Sequence, residues 1–165
     1  STMPKKEAEV FVGMTKYQSQ GKVYWAMFNL GFMSKLMKFM KKMDALAGVF
    51  IQATDDNFDY LSFANKNSIT EIALLRPKTG LNKEAFLEAR STFLSQLDAE
   101  PEVERSYTFN VTGGFKGKDT YPHFTVYKNK EAFDKLMGRA FELHYVQEFF
   151  KTFDAEIICF CKTIK

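Results

Sequence analysis

Two spacings of apolar residues alternate along this chain, and each predicts a different element. Stretches rich in β-branched and aromatic residues, bounded by turn residues, fall at residues 9–17, 22–30, 49–54, 58–64, 68–76, 103–112, 121–127 and 155–164. They predict eight strands. Between them, apolar residues recur every three or four positions. Phe32, Leu36, Phe39, Met40 and Met43 form one stripe, with Lys35, Lys38, Lys41 and Lys42 mostly on other faces, so 32–46 predicts a helix that Gly48 stops. Phe86, Ala89, Arg90, Phe93 and Leu97 lie near one stripe of a second helix over 83–97, with Asn82 as its cap. Phe133, Met137, Ala140 and His144 mark a third over 130–152, capped by Asn129. Polar turns at 18–21, 55–57 and 65–67 and Pro101 punctuate the series. The run Gly113-Gly114-Phe115-Lys116-Gly117 is not followed by the helix that a phosphate-cradling loop needs, so it reads as a hairpin connection.

The pattern repeats. Phe32, Phe39, Met43, Asp44, Ala45 and Val49 stand a constant 54 positions before Phe86, Phe93, Leu97, Asp98, Ala99 and Val103. Six pairs at one offset, on matching predicted elements, point to duplication. The expected organisation is an incomplete N-terminal repeat over 1–67 and a C-terminal repeat over 68–165, together forming one domain. Strands joined partly by helices give an α+β class. In the last strand, Ile158 and Phe160 share one face, and Ile157, Cys159 and Cys161 the other. Apolar residues on both sides call for helices on one face and a second sheet or a lined cavity on the other.

At 165 residues the chain is long enough to bury a core, and 45% hydrophobic with 26% charged residues is an ordinary globular balance. Its 16% aromatic content, with 18 Phe against one Trp, serves cores first and ligand cavities second. A net charge of +3 is too small to argue for nucleic acid, and the lysines of the first helix read as a solvated face. No apolar run is long enough to span a bilayer and no signal peptide is expected. Cys159 and Cys161 point to one face of a strand, where neighbours two apart are poorly placed for a disulfide. Two reduced thiols in a cytoplasmic protein is the reading they support.

The only two histidines, His123 on a strand and His144 on a helix, are the candidate acid–base residues. Tyr121, which shares the face of His123, and Tyr24, Trp25, Tyr107 and Phe141 are candidate ligand-lining residues. Two histidines and two cysteines at these spacings fit neither a tetrahedral zinc pattern nor a facial triad, so no metal is expected. No elbow motif signals a serine nucleophile.

The order strand-helix-strand-strand-helix-strand over 68–165 resembles the dimeric α/β-barrel superfamily, of ferredoxin-like fold. Tyr121-Pro122-His123, the strand through Tyr127 and the late-helix His144 are most similar to its stress-responsive group, which includes plant olivetolic acid cyclase. The group's His-Pro pair ahead of the second histidine is absent, since this chain has Ala140-Phe141-Glu142-Leu143, and its earlier tyrosine is absent too. The resemblance implies tandem ferredoxin-like repeats closing a (pseudo-)dimeric barrel, with an antiparallel sheet inside and helices outside, as a monomer or homodimer. It also implies a small-molecule enzyme performing cofactor-free cyclisation, isomerisation or elimination on an apolar aromatic or polyketide-like substrate, with His123 and His144 as base and acid. The alternatives are a non-catalytic small-molecule-binding or stress-related protein, and a monooxygenase, either cofactor-free or with haem on His144.

Overall fold

The computed structural model describes residues 48–54, 58, 67–115 and 117–162, together with Lys22, Asn29, Gly31, Ser34, Lys35 and Lys38. The chain divides into two compact units, Ser1–Asp44 and Ala45–Lys165. In the first, Gly31, Ser34, Lys35 and Lys38 are helical, and so is Lys22, the expected start of a strand. The expected strand at 9–17 and the rest of 22–30 and 58–64, apart from Asn29 and Phe58, lie outside the described residues.

The second unit is an α+β arrangement. In chain order it contains β1 (Gly48–Ala53), β2 (Ile69–Pro77), α1 (Lys83–Asp98), β3 (Val103–Phe115), β4 (Tyr121–Tyr127), α2 (Lys130–Arg139), a 3-10 turn (Ala140–Glu142), α3 (His144–Phe150) and β5 (Phe153–Lys162). The element order expected over 68–165 is therefore observed. The strands form one antiparallel sheet in the order β1-β3-β4-β2-β5. Closure into a barrel is not found: among the described residues the sheet is open, with β1 and β5 at its edges.

Local chemistry sets the helix starts. Asn82 Oδ1 accepts from the Ala85 amide at 2.7 Å, and Asn129 Oδ1 accepts from the Ala132 amide at 2.8 Å, each satisfying a donor that has no intrahelical partner. All three helices pack on one sheet face. Ala73, Leu75, Phe86, Phe149 and Phe153 form one cluster there. Ile69, Leu94, Leu97, Val103, Tyr127 and Leu136 form the other. On the opposite face Ile72, Leu74, Pro122, Phe124 and Val126 are buried as well, and Phe109 packs on Phe124 with ring centroids 4.4 Å apart.

Three features differ from expectation. β3 runs through Gly113 and Gly114, expected as a loop, because β1 pairs with them, Val49 opposite Gly114 and Phe50 opposite Gly113. Only glycine fits at 114: its φ is 140°, and a Cβ there would lie 2.3 Å from the Gly48 carbonyl oxygen. The expected 130–152 helix breaks at Leu143, which is extended (φ −78°, ψ 119°). The break carries Phe149 onto Phe93 at a centroid distance of 4.3 Å and Tyr145 Oη to Glu100, to which it donates at 2.9 Å. β5 is an edge strand whose helix-side Ile158 and Phe160 stay exposed, so its two apolar faces do not mark a strand buried on both sides.

Candidate functional site

Strand β4 is central, so its alternation carries polar residues into the helix-side core. Tyr121, His123, Thr125 and Tyr127 point toward the helices and Pro122, Phe124 and Val126 away. His123 is 1% exposed, with Phe93 and Phe149 ring centroids 6.2 and 6.4 Å away. Its Nδ1 is buried without a hydrogen-bond partner. Desolvation first, and the Arg90 charge second, lower its pKa to about 3, so it is a neutral imidazole across the physiological range.

Arg90 is the unexpected neighbour. Residues 86, 90, 94 and 97 form the buried stripe of α1, and an arginine occupies one of the four places. The side chain is 8% exposed. Its Nη1 donates to the Pro122 carbonyl at 3.3 Å, and the guanidinium lies 5.8 Å from the Tyr121 ring centroid. Burial lowers its pKa, yet a guanidinium stays charged. Among the described residues no carboxylate pairs with it. A buried charge without a counter-charge costs several kcal/mol of solvation.

Beside Arg90 an open groove of about 290 Å³ runs between α1 and β3. About 100° around α1 from the buried stripe, Leu87, Ser91, Ser95 and Asp98 line one wall; Ser106, Tyr107 and Thr108 line the other. The groove lies past the end of the β1 register, where Ala53 stands opposite Phe109, although the Thr54 amide still donates to the Thr108 carbonyl at 3.0 Å. Ser106 and Thr125 hydroxyls are 3.1 Å apart, and Thr108 is the register partner of His123. His123 thus sits one strand away from the groove wall, in the same sheet.

The two histidines do not share a cavity. The His144 imidazole is 86% exposed, 4.0 Å from Glu148 at the start of α3. The helical stripe expected to hold it inward ends at the Leu143 break, after which Val146 and Phe149 are the buried positions. Tyr121 lies on the helix side against Phe86, at 5.4 Å. Tyr107 is among the residues lining the groove and is buried, its ring 5.1 Å from that of Phe58. Phe141 is 74% exposed beside Phe150. Tyr24 and Trp25 lie outside the described residues. Arg90 carries one sequence signal, a charge within an apolar helical stripe, and reading the stripe as core hides it.

Cys159 and Cys161 are free, half-buried thiols 3.8 Å apart. Among the described residues no three His, Cys, Asp or Glu side chains gather, and no helix is long and apolar enough to cross a membrane.

No family model matches the chain, and no curated protein matches it. Among solved structures, a structural-genomics protein, YJCS, is similar at 9% identity. The match covers 59% of this chain and 99% of that one, with a TM-score of 0.45.

Proposed function

We propose that the protein binds a small molecule in the groove between α1 and β3, and that binding, rather than turnover by a histidine pair, is its activity. The observation that carries this reading is the groove itself, with apolar side chains at Leu87 and Leu94, hydroxyl residues along both walls and a buried cation between the two leucines. Its size is at the small end of ligand sites, about 300 Å³ and upward. The positions of the histidines support the choice between classes. A base working near neutrality needs a pKa near the working pH, and burial takes His123 far below it, while His144 stands in solvent.

A second reading keeps the enzyme. The unpartnered Nδ1 of His123 favours one buried imidazole acting by itself in cyclisation, isomerisation or elimination on an aromatic substrate. A ferredoxin-like second unit is part of either reading: the order β3-β4-β2-β5 with helices on one face supports it. The six-residue match at an offset of 54 supports a related first half.

The test is amide chemical-shift mapping with a set of neutral and charged aromatic fragments, each of about ten heavy atoms. Shifts gathered at Leu87, Ser91, Ser95, Ser106 and Thr108 are expected. Shifts confined to other surfaces, or none at all, would sink the groove as the site. Turnover of any bound fragment that disappears in His123→Ala would move the conclusion to the second reading.

A further inference from the structure

We infer that the groove takes small molecules bearing a single carboxylate, and that this carboxylate sits against Arg90. The inference rests on the groove reading and names the chemistry of its ligand. Arg90 is a buried cation that meets a carbonyl and an aromatic face, and neither cancels a charge. Among the described residues no acid supplies the missing negative charge. Arg90 is one of the residues lining an open groove, so the compensating group can come from outside. A planar guanidinium presents paired donors that match the two oxygens of a carboxylate.

The rest of the groove sets direction and charge. Asp98 also lines it, eight residues along α1 from Arg90, a separation of about 12 Å at the helical rise per residue. That carboxylate repels an anion at its end of the groove and leaves the neighbourhood of Arg90 as the place for one. With one cation and one anion along the walls, a singly charged head is favoured over a phosphate dianion. Leu87 and Leu94 flank Arg90 along α1 and offer apolar surface to the ligand, and Ser91 and Ser106 add hydroxyl residues to the lining. The buried His123, one strand away from the groove wall, is neutral and adds no second cation.

Sodium benzoate, its neutral isostere benzamide and inorganic phosphate are the probes, titrated into the whole protein at low ionic strength and followed by groove amide shifts. Benzoate is expected to bind at least about tenfold more tightly than benzamide, and more tightly than phosphate. In Arg90→Gln that preference is expected to vanish. Arg90→Met, which suits the apolar stripe, serves as a second variant if the first folds poorly. Equal affinity for benzoate and benzamide, or a benzoate preference that survives both variants, overturns the carboxylate assignment and leaves the groove reading standing. Tighter binding of phosphate overturns the single-charge claim. Absence of all three probes from the groove overturns both.

Discussion

Arg90 and His123 share one physical situation: each is a polar group carried by a regular element into a mostly apolar layer. For Arg90 the consequence is a stability cost in the free protein. Exchanging a buried charge for an apolar side chain of similar length is often neutral or stabilising. Arg90→Met is therefore expected to leave the ligand-free protein as stable as before, or more stable by about 1–2 kcal/mol, in urea denaturation. A loss of stability beyond about 1 kcal/mol would mean that the bond to the Pro122 carbonyl outweighs the charge. For His123 the consequence is a pH dependence. Its pKa is about 3 in the fold against about 6.5 in an unfolded chain. Between those values the unfolded chain binds a proton that the folded one does not, so stability falls as pH falls. The contribution is complete above about pH 6.5 and shrinks with acid. From pH 7 to pH 5 it amounts to about 2 kcal/mol. Glu71, to which Tyr127 Oη donates at 2.6 Å, has its pKa raised by burial and acts in the opposite sense, losing stability as pH rises. Comparing the protein with His123→Phe removes that common background. The variant is expected to show a flatter stability profile over about pH 5–7, and parallel profiles would contradict a neutral His123.

Among the elements, the helix caps, the strand series from 68 onward and the order of elements are legible in the sequence, because spacing and cap chemistry act within a few residues. What is illegible depends on partners distant in sequence. Gly113 and Gly114 look like loop residues until β1 pairs with them from far upstream in the chain. The break at Leu143 is set by what lies beyond it: Phe149 on Phe93, and Tyr145 with Arg139 on Glu100, where Arg139 Nη2 lies 2.7 Å from a carboxylate oxygen. Those contacts turn the helix and leave His144 outside. Two glycines separate these local demands. Gly114→Ala meets backbone at 2.3 Å and a φ of 140° and is expected to destabilise by about 1–3 kcal/mol. Gly138 lies in α2, where an added methyl group would have nothing within 4 Å, and Gly138→Ala is expected to stabilise by about 0.5–1 kcal/mol. Thermal denaturation of both variants checks the contrast, and the same sign for both would contradict it.

At the scale of the molecule, the α+β class follows from the mixture of spacings, but closure of the sheet does not. Closure depends on edges, and a strand such as β5 reads the same in sequence whether or not a neighbour lies beyond it. Only the pairing decides that: among the described residues β5 is bonded to β2 alone. Aromatic content is equally blind to place: Phe86 is fully buried while Phe141 is 74% exposed. Phe86→Ala is expected to cost about 3–5 kcal/mol of global stability, and Phe141→Ser to stay within about 0.5 kcal/mol. Equal costs in chemical denaturation would mean that the core has been assigned to the wrong side of the sheet. The central claim, a ligand held between α1 and β3 by Arg90, is tested most directly by a crystal structure of the protein soaked with benzoate. The carboxylate is expected within hydrogen-bond distance of the Arg90 guanidinium and the ring beside Leu87 and Leu94. Benzoate bound only elsewhere, or absent at concentrations that saturate binding in solution, would contradict it.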